Sequence, residues 1–226
     1  RMSIGLPGFP LPSLPRLTLC TLCVSVRVFA CAWADPLTLP PAYFPTCSNL
    51  IQPVNPWLGD GWAMYTEYFQ WSPEHNSNSD QESVEAGQTL QGSLVYMPNS
   101  DAYLLNQTIL ETGVSSHQIV KCQSGKKYTV PYVVYEKTWP CRDYPDDGQV
   151  TLYDITAECD NKDCTDAIQW SSKVKDANCD MKANIISSTS ISITWDTSKA
   201  SNYDNHTRAE LFAMNAQGWA KNFEDK

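Results

Sequence analysis

The chain has 226 residues, of which 42% are hydrophobic, 11% aromatic and 18% charged, and this is enough apolar material for one sizeable core in a single domain. The 25 acidic and 16 basic residues give a net charge of -9. Because binding to nucleic acid and adsorption to anionic membranes both need clustered Lys and Arg, this charge balance argues against nucleic-acid and membrane partners.

The first 34 residues differ in composition from the rest of the chain. They contain three arginines and no acidic residue, and a mostly apolar stretch from Leu17 ends in Ala-Trp-Ala at Ala34. A basic start, an apolar centre and small residues before a cut are typical of a secretory signal. Residues 1–34 are therefore interpreted as a signal peptide that is cleaved after Ala34, or alternatively as a leader that is not native coding sequence. On both interpretations residues 1–34 and a linker of residues 35–46 are expected to lie outside the fold.

Residues 47–197 are predicted to form a β-sandwich domain. Short segments that alternate between apolar and polar residues, or are rich in β-branched residues, recur between clusters of Asn, Ser, Gly and Asp, as strands and turns do. The predicted strands are residues 62–71, 89–97, 102–110, 115–122, 128–139, 149–159, 166–175 and 186–196, with a polar loop at 75–81. This pattern predicts an all-β fold, an antiparallel β-sandwich of the concanavalin A-like jelly-roll type. Residues 198–226 are predicted to be a C-terminal tail with loosely helical apolar spacing.

Cysteines and glycosylation triplets both indicate export. Three of the nine cysteines lie in the leader and six beyond it, and an even number in an exported domain predicts up to three disulfides. A zinc site is the alternative, but the six cysteines beyond the leader form no CxxC pair and the three histidines are far from them in the sequence. Two triplets match the N-glycosylation pattern and predict glycans at Asn106 and Asn205 of a secreted, extracellular protein. The predicted disulfide-forming residues are Cys47, Cys122, Cys141, Cys159, Cys164 and Cys179, of which Cys159 and Cys164 are close enough in sequence to close a small loop.

Common catalytic motifs are missing from the sequence. It has no glycine-rich phosphate loop, no GxSxG elbow, no HExxH helix and no spaced calcium ligands, so neither a metal nor another cofactor is predicted.

Two polar residues stand out instead. Gln52 lies in an apolar run, where an amide is costly unless it is fully hydrogen bonded. Glu136 follows an apolar strand, where desolvation raises the pKa of a carboxyl towards the range that suits a general acid or base. Structural roles are open for both residues, as a strand cross-link for Gln52 and as an ion-pair partner of Lys137, Lys126 or Lys127 for Glu136.

Several stretches of the chain resemble the eqolisins, a family of glutamic peptidases. These stretches are "LIQPV" (50–54), "DGWAMYTEYFQWSPE" (60–74), "SVEAGQTLQGSLVY" (83–96) and "YEKTW" (135–139). The resemblance implies that Gln52 and Glu136 are the catalytic pair of a secreted acid-acting endopeptidase. In that role the glutamate activates a water molecule and the glutamine stabilises the oxyanion. The aromatic strand supplies the predicted substrate-binding residues Tyr65, Tyr68 and Trp71.

Two other functions are compatible with the sequence. The first is carbohydrate binding, in which aromatic rings on one sheet surface stack on sugars. The second is a structural role outside the cell without a small ligand. The expected partner is a polypeptide substrate or a glycan, bound by a monomer. The rings available for a carbohydrate platform are Tyr65, Tyr68, Trp71, Tyr96 and Trp170.

Overall fold

A computed structural model describes residues 17–20, 26–32, 49–71, 73–121, 128–135, 140–159, 162–174, 178–201 and 203–205. Short 3-10 helices lie at Cys141–Asp143, Thr165–Ala167 and Asn178–Asp180. Among the described residues, no helix has the length and apolarity that crossing a membrane requires. The strands in these ranges are β1 (Leu17–Cys20), β2 (Val26–Ala32), β3 (Asn49–Val54), β4 (Trp62–Trp71), β5 (Glu74–Asn78), β6 (Glu82–Val84), β7 (Leu90–Met97), β8 (Ala102–Ile109), β9 (Ser115–Val120), β10 (Tyr128–Tyr135), β11 (Gln149–Leu152), β12 (Glu158–Cys159), β13 (Lys162–Asp163), β14 (Lys182–Ser187) and β15 (Ser190–Thr194).

The strands form two large sheets and one small hairpin. The seven-stranded sheet has the order β14-β15-β11-β1-β7-β8-β9. The six-stranded sheet has the order β10-β2-β3-β4-β5, and β6 pairs with the remaining part of β4. Strands β12 and β13 pair only with each other. Every pairing is antiparallel, and the predicted all-β antiparallel sandwich is confirmed.

The core lies between the two sheets because alternate side chains of facing strands meet there. Tyr68 of β4 packs with Ile51 of β3 on one side and with Tyr103 and Leu105 of β8 on the other. Successive side chains of a strand point to opposite sides of its sheet, so each strand of the sandwich contributes every second residue to the core. A second cluster fills the other half of the sandwich and consists of Trp62, Met64, Leu90, Ile109, Cys141, Tyr144, Val150, Leu152, Ile155, Cys179, Met181, Ile191, Ile193 and Trp195.

Four predicted segments differ from the observed strands. The predicted strand 149–159 is divided into β11 and β12 by residues 153–157, which form no strand. Residues 166–174 contain no strand. The Trp170 side chain of this segment packs against the core, and its Nε1 donates to Ser188 O. The predicted strand 186–196 is part of the β14–β15 hairpin, because Thr189 N bonds to Ser187 Oγ in a tight turn. The polar loop predicted at 75–81 contains most of β5, which is an edge strand and can therefore consist of polar residues.

Two further strands come from the leader. Strand β1 pairs with β7 and β11, and β2 pairs with β10 and β3. The expectation that residues 1–46 lie outside the fold therefore differs from the structure. Apolar, β-branched segments suit a buried strand as well as the apolar centre of a signal, and hydropathy does not separate the two. Cleavage after Ala34 stays a prediction. It would remove both strands from their sheets, so the arrangement described below, with β2 between β10 and β3, is that of the chain that keeps residues 17–32.

Candidate functional site

Gln52 lies in the middle of β3, on the side of the six-stranded sheet that points away from the second sheet. Its neighbour Ile51 belongs to the core between the sheets, so alternation directs Gln52 to the opposite side, which we call the outer face. Gln52 is nevertheless 0% exposed. Because a buried amide is costly without hydrogen bonds, its partners determine what it can do.

Glu67 of β4 is the direct partner of Gln52. The two residues are paired across β3 and β4, so their side chains share the outer face. Gln52 Nε2 donates to Glu67 Oε2, and Asn76 Nδ2 of β5 donates to Glu67 Oε1 at 3.3 Å. An ionised carboxylate only accepts hydrogen bonds, so Glu67 fixes the Gln52 amide with its nitrogen towards β4. Glu67 itself is only 7% exposed, and the two amide donors offset part of the cost of its burial.

The other half of the Gln52 amide is buried and has unused hydrogen-bonding capacity. Gln52 Oε1 is buried and has no hydrogen-bond partner among the described residues. The NH₂ group also carries a second hydrogen beyond the one donated to Glu67. A fixed amide with one acceptor and one donor available suits the binding of a water molecule or a peptide group. The capacity to accept one hydrogen bond and donate another is the chemical property that the site offers.

The second predicted catalytic residue, Glu136, lies outside the described residues. Strand β10 ends at Tyr135, directly before it. Within β10, Val133 and Tyr135 pack against the core, so Tyr132 and Val134 belong to the outer face. Strand β2 lies between β10 and β3, and it pairs with both. The structure therefore places β10 two strands from Gln52 in the same sheet, with Ile51 aligned through Ala30 to Pro131, four residues before Tyr135 at the end of the strand.

The end of β10 is held by an aromatic cluster. The Tyr135 ring stacks on Trp195, with centroids 5.5 Å apart, and lies 5.7 Å from the Tyr144 ring. Trp195 Nε1 donates to Pro145 O. Burial, and secondarily the neighbouring Tyr144, raises the pKa of the Tyr135 hydroxyl far above its ordinary value, so it stays protonated and contributes no charge. This cluster fixes the last described residue before Glu136.

The three predicted substrate-binding residues do not form one surface. Tyr65 is on the outer face, opposite Val54 of β3. Tyr68 points into the core, is 2% exposed, and donates from its hydroxyl to Gln70 Oε1. Trp71 ends β4 opposite Glu74, and its side chain lies outside the described residues. A substrate on the outer face can reach Tyr65 but not Tyr68, because their side chains are on opposite sides of β4.

The aromatic platform considered for carbohydrate binding is also not assembled. Tyr96 packs against the core cluster that contains Tyr68, 5.0 Å from the Tyr103 ring. Trp170 packs against the other core cluster. Tyr68 and Tyr96 thus belong to one core cluster and Trp170 to the other, so these rings pack in the core rather than on one concave surface.

The cysteines form disulfides in the described part of the chain. Cys159 and Cys164 close the predicted small loop, and Cys141 pairs with Cys179. Cys47 and Cys122 lie outside the described residues. No group of three or more metal-ligating side chains occurs among the residues that the structure describes. Disulfides are typical of proteins in oxidising compartments, which agrees with an extracellular protein.

Glu67 was missed as a site residue by sequence reasoning. The signal for it was a single acidic residue in the middle of an otherwise aromatic and apolar strand, "AMYTEYF" (63–69). Such a residue is rarely buried without a partner. Pairing it with Gln52, however, requires the register of β3 against β4, which the sequence does not state.

Comparison with known proteins returned neither a matching family model nor a matching curated protein. Two solved structures are similar to this chain. Aspergilloglutamic peptidase from Aspergillus niger has 13% sequence identity and a TM-score of 0.49, covering 76% of this chain and 99% of its own. Scytalido-glutamic peptidase, crystallised with a transition state analog inhibitor, has 14% identity and a TM-score of 0.43, covering 80% of this chain and 88% of its own. At these values the strand pairing described above, rather than the similarity, establishes the fold.

Proposed function

We propose that this protein is a secreted endopeptidase of the glutamic type, which hydrolyses polypeptides in acid with Gln52 and Glu136. The observation that supports this most is the Gln52 amide. It is fully buried on the outer face of the sheet, fixed by Glu67, and has its oxygen without a partner among the described residues. A purely structural amide in such a place would be expected to use both of its ends.

The proposed reaction uses a water molecule between the two side chains. Glu136 takes a proton from this water, whose oxygen attacks the carbonyl carbon of the substrate peptide bond. The remaining N–H of Gln52 donates to the oxyanion that develops on the carbonyl oxygen. Glu136 then gives the proton to the leaving nitrogen as the C–N bond breaks. The proposal requires the Glu136 carboxyl on the outer face, to which Tyr132 and Val134 of β10 belong.

Glu67 has a positioning role in this scheme. By accepting one hydrogen of Gln52 Nε2, it prevents the amide from rotating by a half turn, which would present oxygen to the oxyanion.

The test is digestion of a denatured protein by the purified chain at about pH 3 to 5, around the ordinary pKa of glutamate. Wild type is expected to cleave, and Glu136→Gln to lose all cleavage. Gln52→Ala is expected to lower kcat by about 100- to 1000-fold, the effect of removing one oxyanion donor. Glu158→Gln, which changes an exposed carboxylate on β12, is the matched control and should retain full activity. Inert wild type, or full activity in Glu136→Gln, would refute the proposal.

A further inference from the structure

The seven-stranded sheet has an exposed surface on the side away from the core, built by β7, β8 and β9. Leu105 and Gln107 of β8 are 0% exposed and point inwards, so Leu104, Asn106 and Thr108 point outwards. The strand register arranges the outward side chains in three rows, which we call the β7–β9 surface. The rows are Val95, Leu104 and Ile119; Ser93, Asn106 and His117; and Gln91, Thr108 and Ser115.

One row of the β7–β9 surface is apolar, with Ile119 exposed and Val95 and Leu104 half-buried. Ile119 is 64% exposed, more than any other large hydrophobic residue among those described. It pairs across the strands with Leu104, which in turn pairs with Val95. Apolar residues contiguous on an open sheet surface usually mark a place that something covers. The middle row contains Asn106, whose side chain can carry a group that covers the apolar row.

Asn106 occupies the centre of the β7–β9 surface and begins an N-glycosylation triplet with Gln107 and Thr108. Its Nδ2 donates to the hydroxyl of Thr108, the third residue of the same triplet, at 3.1 Å. The amide nitrogen has a second hydrogen outside this bond. Since Asn106 pairs with His117, Ile119 is its diagonal neighbour, within about 8 Å on an antiparallel sheet.

We infer that Asn106 carries an N-linked glycan whose first sugars cover the Val95–Leu104–Ile119 row. In the attachment step, Asn106 Nδ2 displaces the diphosphate of a lipid-linked oligosaccharide donor at the anomeric carbon and loses one proton. The C–H faces of the first sugar rings then lie on Leu104 and Ile119, while their hydroxyls face water. The burial of apolar area by the glycan stabilises the exported protein against self-association. This inference requires export but not catalysis.

The first experiment establishes attachment. The full chain is expressed in a secreting eukaryotic cell, and peptides containing residue 106 are weighed before and after enzymatic removal of N-glycans. Thr108→Ala is expected to lose the modification completely, although Asn106 is unchanged. Thr108→Ser keeps the acceptor pattern and is expected to retain it. Asn205→Gln, at the other triplet, should leave it unaffected. An unmodified Asn106 in the secreted wild type would overturn the inference.

The second experiment establishes that the glycan covers the apolar row. Thr108→Ala is compared with Thr108→Ser by binding of a dye for exposed apolar surface and by sedimentation at rising protein concentration. The chain without the glycan is expected to bind more dye and to self-associate at lower concentration. Adding Ile119→Thr to Thr108→Ala is expected to restore the behaviour of the glycosylated chain. Equal dye binding and sedimentation in the two Thr108 variants would show that the glycan does not cover this row.

Discussion

A buried amide that is held at one end and open at the other is the central feature at the scale of single residues. Gln52 reaches Glu67 through Nε2, and Glu67 is also the acceptor for Asn76. The geometry of three side chains on three adjacent strands therefore determines which atom of the Gln52 amide faces a ligand. A substitution of Glu67 is therefore expected to change which atom of the Gln52 amide faces a ligand, although Gln52 itself is unchanged.

Removal of the Glu67 carboxylate is expected to destabilise the fold. Glu67→Ala leaves a buried N–H of Gln52 without its acceptor, at a cost of about 1–3 kcal/mol in the free energy of unfolding. Glu67→Gln keeps a carbonyl oxygen at the same place and should cost less. Urea denaturation followed by tryptophan fluorescence measures the difference, and equal stability of the two variants would contradict the hydrogen bond described here.

Asp196 is expected to make stability depend on pH. Hydrogen bonds from Ser198, first from its hydroxyl and then from its backbone N–H, lower the pKa of the Asp196 carboxyl, and Lys199 adds to this. A carboxyl whose pKa is lower in the folded state stabilises the fold above its unfolded pKa of about 3.9, and this stabilisation is lost as the pH falls through the lower folded value. Asp196→Asn should therefore lower the Tm at neutral pH and have no effect in strong acid. A Tm difference that is independent of pH would contradict this assignment.

At the scale of elements, Gln107 joins the two sheets near the site. Its Nε2 donates to the carbonyls of Val54 and Tyr65, and its Oε1 accepts from Asn55 Nδ2 at 2.8 Å. Val54 and Tyr65 are paired with each other across β3 and β4, two residues from the Gln52–Glu67 pair. Strand β8 thereby fixes the separation of the strands that position the amide.

Loss of Gln107 is expected to weaken the sandwich at this point. Gln107→Ala leaves the Asn55 donor and two buried carbonyls without this partner, at about 1–3 kcal/mol for each group left unsatisfied. Gln91→Ala on the outward side of β7 is the control, and it should change the free energy of unfolding by less than about 0.5 kcal/mol. Denaturant titration of both variants tests this, and a Gln107→Ala variant as stable as the control would show that the cross-link is dispensable.

The sequence predicts correctly those strands whose own alternation of apolar and polar residues is sufficient to define them. Residues 62–71 alternate so regularly that β4 begins and ends where the pattern does. Strand β5 consists of polar residues and exists only because β4 supplies its hydrogen bonds. The segment 166–174 has apolar residues but pairs with no described strand; its start belongs to the 3-10 helix Thr165–Ala167 and the rest is irregular. Pairing between strands is the information that a single sequence does not contain.

The same limit applies to the site. The resemblance identified Gln52, and the apolar run around it predicted its burial, which is confirmed. The resemblance implies a substrate role for both Tyr65 and Tyr68, but alternation along β4 places their side chains on opposite faces, with Tyr68 in the core. Glu67 became visible as the partner of Gln52 only when the β3–β4 register was known.

At the scale of the whole molecule, two disulfides close loops of different length. Cys141 and Cys179 are separated by 38 residues and Cys159 and Cys164 by 5. Restriction of the unfolded chain predicts about 4 kcal/mol for the long loop and about 2 kcal/mol for the short one. Both Cys141 and Cys179 also belong to the core, whereas the short loop is largely outside it.

Serine replacement of the Cys141–Cys179 pair is therefore expected to lower stability about twice as much as replacement of the Cys159–Cys164 pair. Denaturant unfolding of the two double variants under non-reducing conditions gives the comparison. A larger loss for the short loop would show that loop length does not govern stability here.

The catalytic pair is tested most directly by the distance between the Gln52 amide and the Glu136 carboxyl in an experimental structure of the exported protein at acidic pH. One water bound to both groups requires a separation of about 5 to 6 Å, the length of two hydrogen bonds. We expect this spacing, with both side chains on the outer face of the six-stranded sheet and the water between them. Side chains on opposite faces, or too far apart to share one water, would contradict it.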